Sequence, residues 1–196
     1  MQYGVDLNDG ENFKDGDDSG TLSYVRIEYS GYSIADGSEL QALTLYSVGS
    51  GTRIDHISLF QTVDDGVELF GGTVDIKYLV AVGAADDTFR LRPGLDRTWT
   101  ASGWGVQTVP SNRGFENDGC DDTADCDGGN GATAPQIYNV TIYGNGQDNG
   151  ENTYGLYLRE SIEGEYKNII VSNFQKATGY PIYVNDDGTE GNVDRR

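Results

Sequence analysis

Hydrophobic and polar residues alternate in short runs along this chain, and the runs repeat. Asp55-His56-Ile57-Ser58-Leu59-Phe60 returns 22 residues later as Lys77-Tyr78-Leu79-Val80-Ala81-Val82, and Asp64-Asp65-Gly66-Val67-Glu68-Leu69 returns at the same offset as Asp86-Asp87-Thr88-Phe89-Arg90-Leu91. Two separate strands sharing one offset predict that a whole turn of a solenoid is repeated. The same two-strand grammar pairs Tyr24-Val25-Arg26-Ile27 with Ala42-Leu43-Thr44-Leu45, Asn139-Val140-Thr141-Ile142 with Gly155-Leu156-Tyr157-Leu158, and Asn168-Ile169-Ile170-Val171 with Pro181-Ile182-Tyr183-Val184. Alternation with period 2 sends one set of side chains inward and the next outward. In the second strands the inward slots are Leu43, Val67, Phe89, Leu156 and Ile182, then Leu45, Leu69, Leu91, Leu158 and Val184. The outward slots are Thr44, Glu68, Arg90, Tyr157 and Tyr183.

The less regular stretch 95–135 is read as a further rung carrying a loop-rich insertion, because Arg113-Gly114-Phe115-Glu116 has the shape of Asp65-Gly66-Val67-Glu68. About six rungs result, and no amphipathic helix of useful length is visible. The expected fold is an all-β, right-handed parallel β-helix. A leucine-rich repeat lacks its fixed Leu and Asn spacing here, and the strands of a sandwich would not share a 22-residue offset. The 196 residues are read as one domain. Its terminal rungs look uncapped and the segment 185–196 reads as a linker-like tail, so the chain is expected to be a fragment of a longer one and able to associate end to end.

Composition narrows the function classes. With 32 acidic and 13 basic residues the net charge is −19, so a nucleic-acid backbone would be repelled, and no Lys/Arg cluster offsets this. No apolar run reaches the ~18 residues of a membrane span, so membrane insertion is not expected. The 28 glycines suit many tight turns. Cys120 and Cys126 lie in a polar Asp/Gly-rich loop; a short disulfide there would restrain the loop and imply an oxidising compartment. Any export signal is expected outside this sequence.

Three segments carry a family resemblance: Ser19-Gly20-Thr21-Leu22-Ser23-Tyr24-Val25-Arg26-Ile27-Glu28-Tyr29-Ser30-Gly31, Gly49-Ser50-Gly51-Thr52-Arg53-Ile54-Asp55-His56-Ile57, and Val63-Asp64-Asp65-Gly66-Val67-Glu68-Leu69-Phe70-Gly71-Gly72-Thr73-Val74. With Asn112-Arg113-Gly114-Phe115-Glu116-Asn117-Asp118-Gly119 they make residues 19–120 resemble a large family of bacterial secreted or cell-surface β-helix proteins, common in Bacteroidota. The resemblance implies a pectate-lyase-like β-helix outside the cell, and no reaction.

Aligning the rungs puts Asp64, Asp86 and Asn112 in one column, Asp65, Asp87 and Arg113 in the next, and Glu68, Arg90 and Glu116 in a third, outward one. Rungs lie ~4.8 Å apart, so stacked aspartates repel unless a cation, a proton or an arginine compensates. The column is therefore a site or a hydrogen-bonded turn. As a site it predicts calcium at Asp64, Asp65, Asp86 and Asp87, since hard cations take carboxylate oxygens. An enzyme would use Asp64, Asp86 and Asp87 with Arg90 or Arg113, in a lyase or glycoside hydrolase acting on acidic polysaccharide. The Glu68/Arg90/Glu116 alternation is expected to be a cross-rung ion-pair ladder of well under ~1 kcal/mol per pair if exposed. His56 shares its slot with Tyr24, Tyr78, Asn139 and Asn168 and reads as a rung-corner side chain.

Tyr154, Tyr157, Tyr180 and Tyr183 are expected on the outer surface, with Trp99 and Trp104 in the loop-rich stretch; exposed rings offer flat apolar faces to a ligand. Tyr157, Tyr183, Trp99 and Trp104 are therefore the candidate ligand-binding residues. The preferred reading is a non-catalytic extracellular module for adhesion, glycan binding or surface structure, with a carbohydrate or a surface protein as partner.

Overall fold

The computed structural model describes residues 16–35, 38–95, 101–106, 113–119, 133–146, 154–160, 162–174 and 181–184. Strand β1 (Thr21–Glu28), a hairpin of β2 (Tyr32–Ala35) and β3 (Ser38–Leu40), and β4 (Leu43–Val48) make the first rung. The next rungs are β5 (Arg53–Thr62) with β6 (Val67–Gly72), β7 (Asp75–Ala84) with β8 (Phe89–Leu95), and β9 (Ala101–Val106) with β10 (Arg113–Asp118). Then follow β11 (Gln136–Tyr143) with β12 (Tyr154–Arg159), and β13 (Glu165–Ser172) with β14 (Ile182–Val184). First strands form one six-stranded sheet in the order β1-β5-β7-β9-β11-β13, and second strands form another in the order β14-β12-β10-β8-β6-β4. Every pairing within these two sheets is parallel. The protein is a parallel β-helix, with β9 and β10 supplying the rung expected in 95–135.

The inward column runs in register as Leu43, Val67, Phe89, Phe115, Leu156 and Ile182. Val67, Phe89 and Phe115 have no exposed surface, and the two phenylalanine rings lie 4.7 Å apart between centroids. Each such buried side chain contributes ~1.5–3 kcal/mol. The second inward column holds one surprise: Asn117 stands between Leu91 and Leu158. It is fully buried, and its Nδ2 donates to the Tyr166 hydroxyl at 2.8 Å.

Corners explain a second repeat in the sequence. Tyr24, His56, Tyr78, Asn139 and Asn168 all have φ between 53° and 57°, a left-handed backbone that costs a non-glycine residue energy. One such residue shifts the alternation, so Ile54 and Ile57 both point inward, as do Ile76 and Leu79, and Ile137 and Val140. The bend recurs in five rungs; in the sixth, β9 is one residue shorter than β11 between Ala101 and Gly103. His56 is such a corner: its ring stacks on Tyr24 at 4.3 Å and packs against Tyr78 at 4.6 Å, with Nδ1 2.8 Å from Asp55 Oδ1.

Glycines at the start of the second strands let rungs approach closely. A Cβ on Gly114 would lie 2.5 Å from the Gly155 carbonyl oxygen and 2.6 Å from Ile142 Cγ2. The β2–β3 hairpin is antiparallel and leaves the stack on the side of the second sheet, beside the turn at Asp64. Among the described residues no helix is long and apolar enough to cross a membrane. Cys120, Cys126 and the segment 185–196 lie outside the described residues.

Candidate functional site

The outer face of the second sheet is built by the alternation that builds the core. Thr44, Glu68, Arg90, Glu116, Tyr157 and Tyr183 follow one another in register across the rungs, and Tyr46, Phe70 and Arg92 form the next outward column. The first column departs from the expected exposed ladder. Glu68 and Glu116 are 3 % and 2 % exposed, because guanidiniums lie over them.

Five carboxyl groups (Asp65, Glu68, Asp87, Glu116 and Asp118) are buried here among Arg90, Arg92, Arg113 and Arg159. Arg90 is central: it lies 3.8 Å from Glu68, 3.9 Å from Asp87, 3.4 Å from Glu116 and 3.8 Å from Asp118. Arg92 binds Glu68 at 2.9 Å and Asp118 at 3.4 Å. Arg159 bridges Glu116 at 3.1 Å and Asp118 at 2.6 Å. Arg113 holds Glu116 by a short hydrogen bond. Burial works against the charge of Arg90, but the surrounding carboxylates outweigh it and hold its pKa above the ordinary arginine value.

Asp87 is fully buried, and neither of its oxygens accepts a hydrogen bond. Burial first, then its contact with Glu116 and the charge of Asp65, raise its pKa well above the carboxylate range. Burial also pushes Glu116 up, but the bond to Asp87 and the charges of Arg90, Arg113 and Arg159 outweigh it, leaving Glu116 below its ordinary value. These opposite directions make Asp87 the member of the pair that keeps its proton more readily and Glu116 the member that stays charged.

Asp65 has a structural duty as well. Its Oδ1 accepts the backbone N–H of Asp87 at 2.9 Å, one rung away, which is the hydrogen-bonded turn among the two readings of the column. Its pKa is raised by burial and then by the charges of Asp64 and Asp86. Carboxylate oxygens of Asp64, Asp65 and Asp86 lie within 4.8 Å of one another. Two ligands of one calcium ion, each at ~2.3–2.6 Å, are at most about 5 Å apart, so these three residues fit the expected ion in spacing. Asp87 does not join them; it turns towards Glu116, Arg90 and Arg113.

A cleft of about 690 Å³ opens over this face, between Ser38–Leu40 of the hairpin and Asp64, Asp65, Glu68, Asp86, Arg90 and Arg92. Gln41 crosses its edge, donating to Asp64 Oδ2 at 3.0 Å and accepting from Thr44 Oγ1 at 2.8 Å. Tyr46 and Phe70 stack at 4.7 Å and also line the cleft; Tyr46 is 51 % exposed.

Two of the tyrosines expected on the surface, Tyr154 and Tyr157, are covered. Tyr157 is 8 % exposed, with the guanidiniums of Arg113 and Arg159 4.8 and 5.5 Å from its ring centroid, and Tyr154 is buried too. Tyr183 stacks on both, at 4.8 Å from Tyr154 and 5.5 Å from Tyr157. Strand alternation placed Tyr157 outside correctly, but arginines and a neighbouring ring cover it. Trp104 sits on β9, opposite Val80 and Thr141, with its side chain outside the described residues; Trp99, Tyr180 and Asn112 lie outside them altogether.

A family model described as "Pectate-lyase like beta helix domain" matches residues 6–196. The chain belongs to this pectate-lyase-like β-helix family. No curated protein and no solved structure matches it. Within this β-helix the sequence missed Tyr46, Phe70, Arg92, Asp118 and Arg159 as members of the outer face. Tyr46 and Phe70 were legible in principle, since they stand two residues beyond Thr44 and Glu68 on the same face.

Proposed function

We propose that this chain is a non-catalytic extracellular or cell-surface module that binds a glycan in the cleft beside the β2–β3 hairpin. Membership in the pectate-lyase-like β-helix family supports a polysaccharide-related role. The observation that carries the reading is the cleft itself, where half-exposed Tyr46 adjoins the hydrogen-bonding groups of Gln41, Asp64, Asp86 and Arg92. Its volume is within the ~300–1,000 Å³ of small-molecule sites, and an aromatic wall beside fixed polar groups suits the C–H faces and hydroxyls of a sugar. Against lyase chemistry, Arg90 lies among four carboxylates that strengthen its hold on its proton, so it is a poor base.

Calcium would be held by Asp64, Asp65 and Asp86, where it would supply positive charge against their mutual repulsion. A second reading, a glycoside hydrolase, is favoured by one observation: the raised carboxyl of Asp65 lies beside Asp64 and Asp86, close to the ~5–5.5 Å spacing of the nucleophile and the acid in a retaining enzyme. The deciding experiment exposes purified protein to a panel of neutral, acidic and amine-bearing polysaccharides, recording retention, unsaturated-product absorbance and new reducing ends. Retention without product supports the binding module. New reducing ends that disappear in Asp65→Asn would replace it with the hydrolase, and no retention on any polysaccharide would overturn the glycan reading.

A further inference from the structure

We infer that the β2–β3 hairpin is a docking edge for a partner protein, taking an extended segment of alternating apolar and basic residues as a third strand. Docking there is separate from the glycan in the cleft, and neither requires the other. The first support is apolar exposure. Tyr32, Ile34 and Leu40 are 68 %, 61 % and 51 % exposed, and Tyr32 stands directly opposite Leu40 on one face of the hairpin. Tyr29 and Val63, exposed as well, flank its base, where the Val63 N–H donates to the Ser30 carbonyl at 2.9 Å. Two strands alone are marginal in water, and clustered apolar surface on a soluble protein marks an interaction site.

The second support is the backbone. Among the described residues β2 and β3 pair only with each other, so each has an outer edge. On β3 the Glu39 carbonyl already accepts from Gln41 Nε2 at 3.2 Å, whereas on β2 the Ser33 hydroxyl reaches the Ala35 carbonyl only at 3.5 Å. β2 is the more open edge, and such an edge accepts a further strand. The third support is the difference between the two faces. Opposite the apolar face, Ser33 pairs with Glu39, its hydroxyl 3.3 Å from the carboxylate. An added strand with alternating side chains lays its apolar residues on the Tyr32–Leu40 face and its basic residues on the Ser33–Glu39 face. Glu39 is the only charged side chain among the hairpin's described residues, and the whole chain carries −19. That field draws in a cationic segment and repels a second copy of this chain.

The test uses fluorescence anisotropy at physiological salt with four labelled peptides: lysine alternating with valine, the same peptide with its backbone nitrogens methylated, lysine alternating with serine, and glutamate alternating with valine. The lysine–valine peptide should bind at least about tenfold more tightly than each of the others, which lack in turn the edge hydrogen bonds, the apolar face and the positive charge. The double variant Tyr32→Ser/Ile34→Ser should lose that advantage while melting as a folded protein. Leu40 also lines the cleft, so the variant spares it. Equal binding of any control peptide would overturn the inference, as would unchanged binding by the double variant. Absence of binding up to millimolar lysine–valine peptide would overturn it too. A dimer in sedimentation that the double variant dissolves would assign the hairpin to a second copy and overturn the partner proposed here.

Discussion

Replacing Arg90 with Met keeps most of the aliphatic stem and removes the guanidinium from the centre of the buried cluster. One contact at 3.4 Å, that with Glu116, has a gross Coulomb energy of about 5 kcal/mol at an effective dielectric of about 20. The net loss is smaller, because desolvation of both ions opposes each contact and because Arg92, Arg113 and Arg159 still hold the remaining carboxylates. The cluster is then short of one positive charge, and its cheapest response is to bind one proton. Protonating a carboxylate of ordinary pKa ~4.3 costs about 3.7 kcal/mol at pH 7 and about 1 kcal/mol at pH 5. Those figures are ceilings, since burial already raises Glu68. The expected destabilisation of Arg90→Met is therefore at most about 3.7 kcal/mol at pH 7, in line with breaking a buried pair, and at most about 1 kcal/mol at pH 5. Urea unfolding of both proteins at the two pH values measures it. A loss independent of pH, or one under about 1 kcal/mol at pH 7, would refute the buried-cluster account.

Asp87 and Asp65 have raised pKa values in the fold, so the stability they contribute is complete below the ordinary aspartate pKa of ~3.9 and is lost as pH rises through their folded values. Glu116 is lowered, so its contribution is present above ~4.3 and lost as pH falls. Urea midpoints should therefore peak in the mildly acidic range and decline towards alkaline pH, and Asp87→Asn, a permanent mimic of the protonated acid, should flatten the alkaline decline; an unaltered slope would contradict the raised carboxyl of Asp87. Millimolar calcium should raise the melting temperature by mass action, and Asp64→Asn/Asp86→Asn should abolish the rise; equal melting curves with calcium and with chelator would leave these residues without an ion. Gly114→Ala would place a methyl group 2.5 Å from the Gly155 carbonyl, and it should lower stability by about 1–3 kcal/mol in chemical unfolding.

The solenoid was legible in the amino-acid order because its rules are local. A 22-residue offset and the in–out alternation specify how Val67 stacks on Phe89 and Phe115, and those residues occupy that column at zero exposure. Corner residues were legible too, since Tyr24, His56 and Tyr78 share a slot that turns out to share a left-handed backbone. Burial of the outer face was not. Glu68 and Glu116 alternate outward as a solvated ladder would, and only the arrival of Arg92, Arg113 and Arg159 from other slots and other rungs encloses them. The same holds for the aspartates. Asp64-Asp65 and Asp86-Asp87 are identical pairs in sequence, yet Asp86 opens on the cleft while Asp87 is closed in against Glu116. Alternation says which side of a sheet a residue occupies. Whether that side meets water, a guanidinium or the β2–β3 hairpin depends on groups distant along the chain, which come together only when the rungs are stacked.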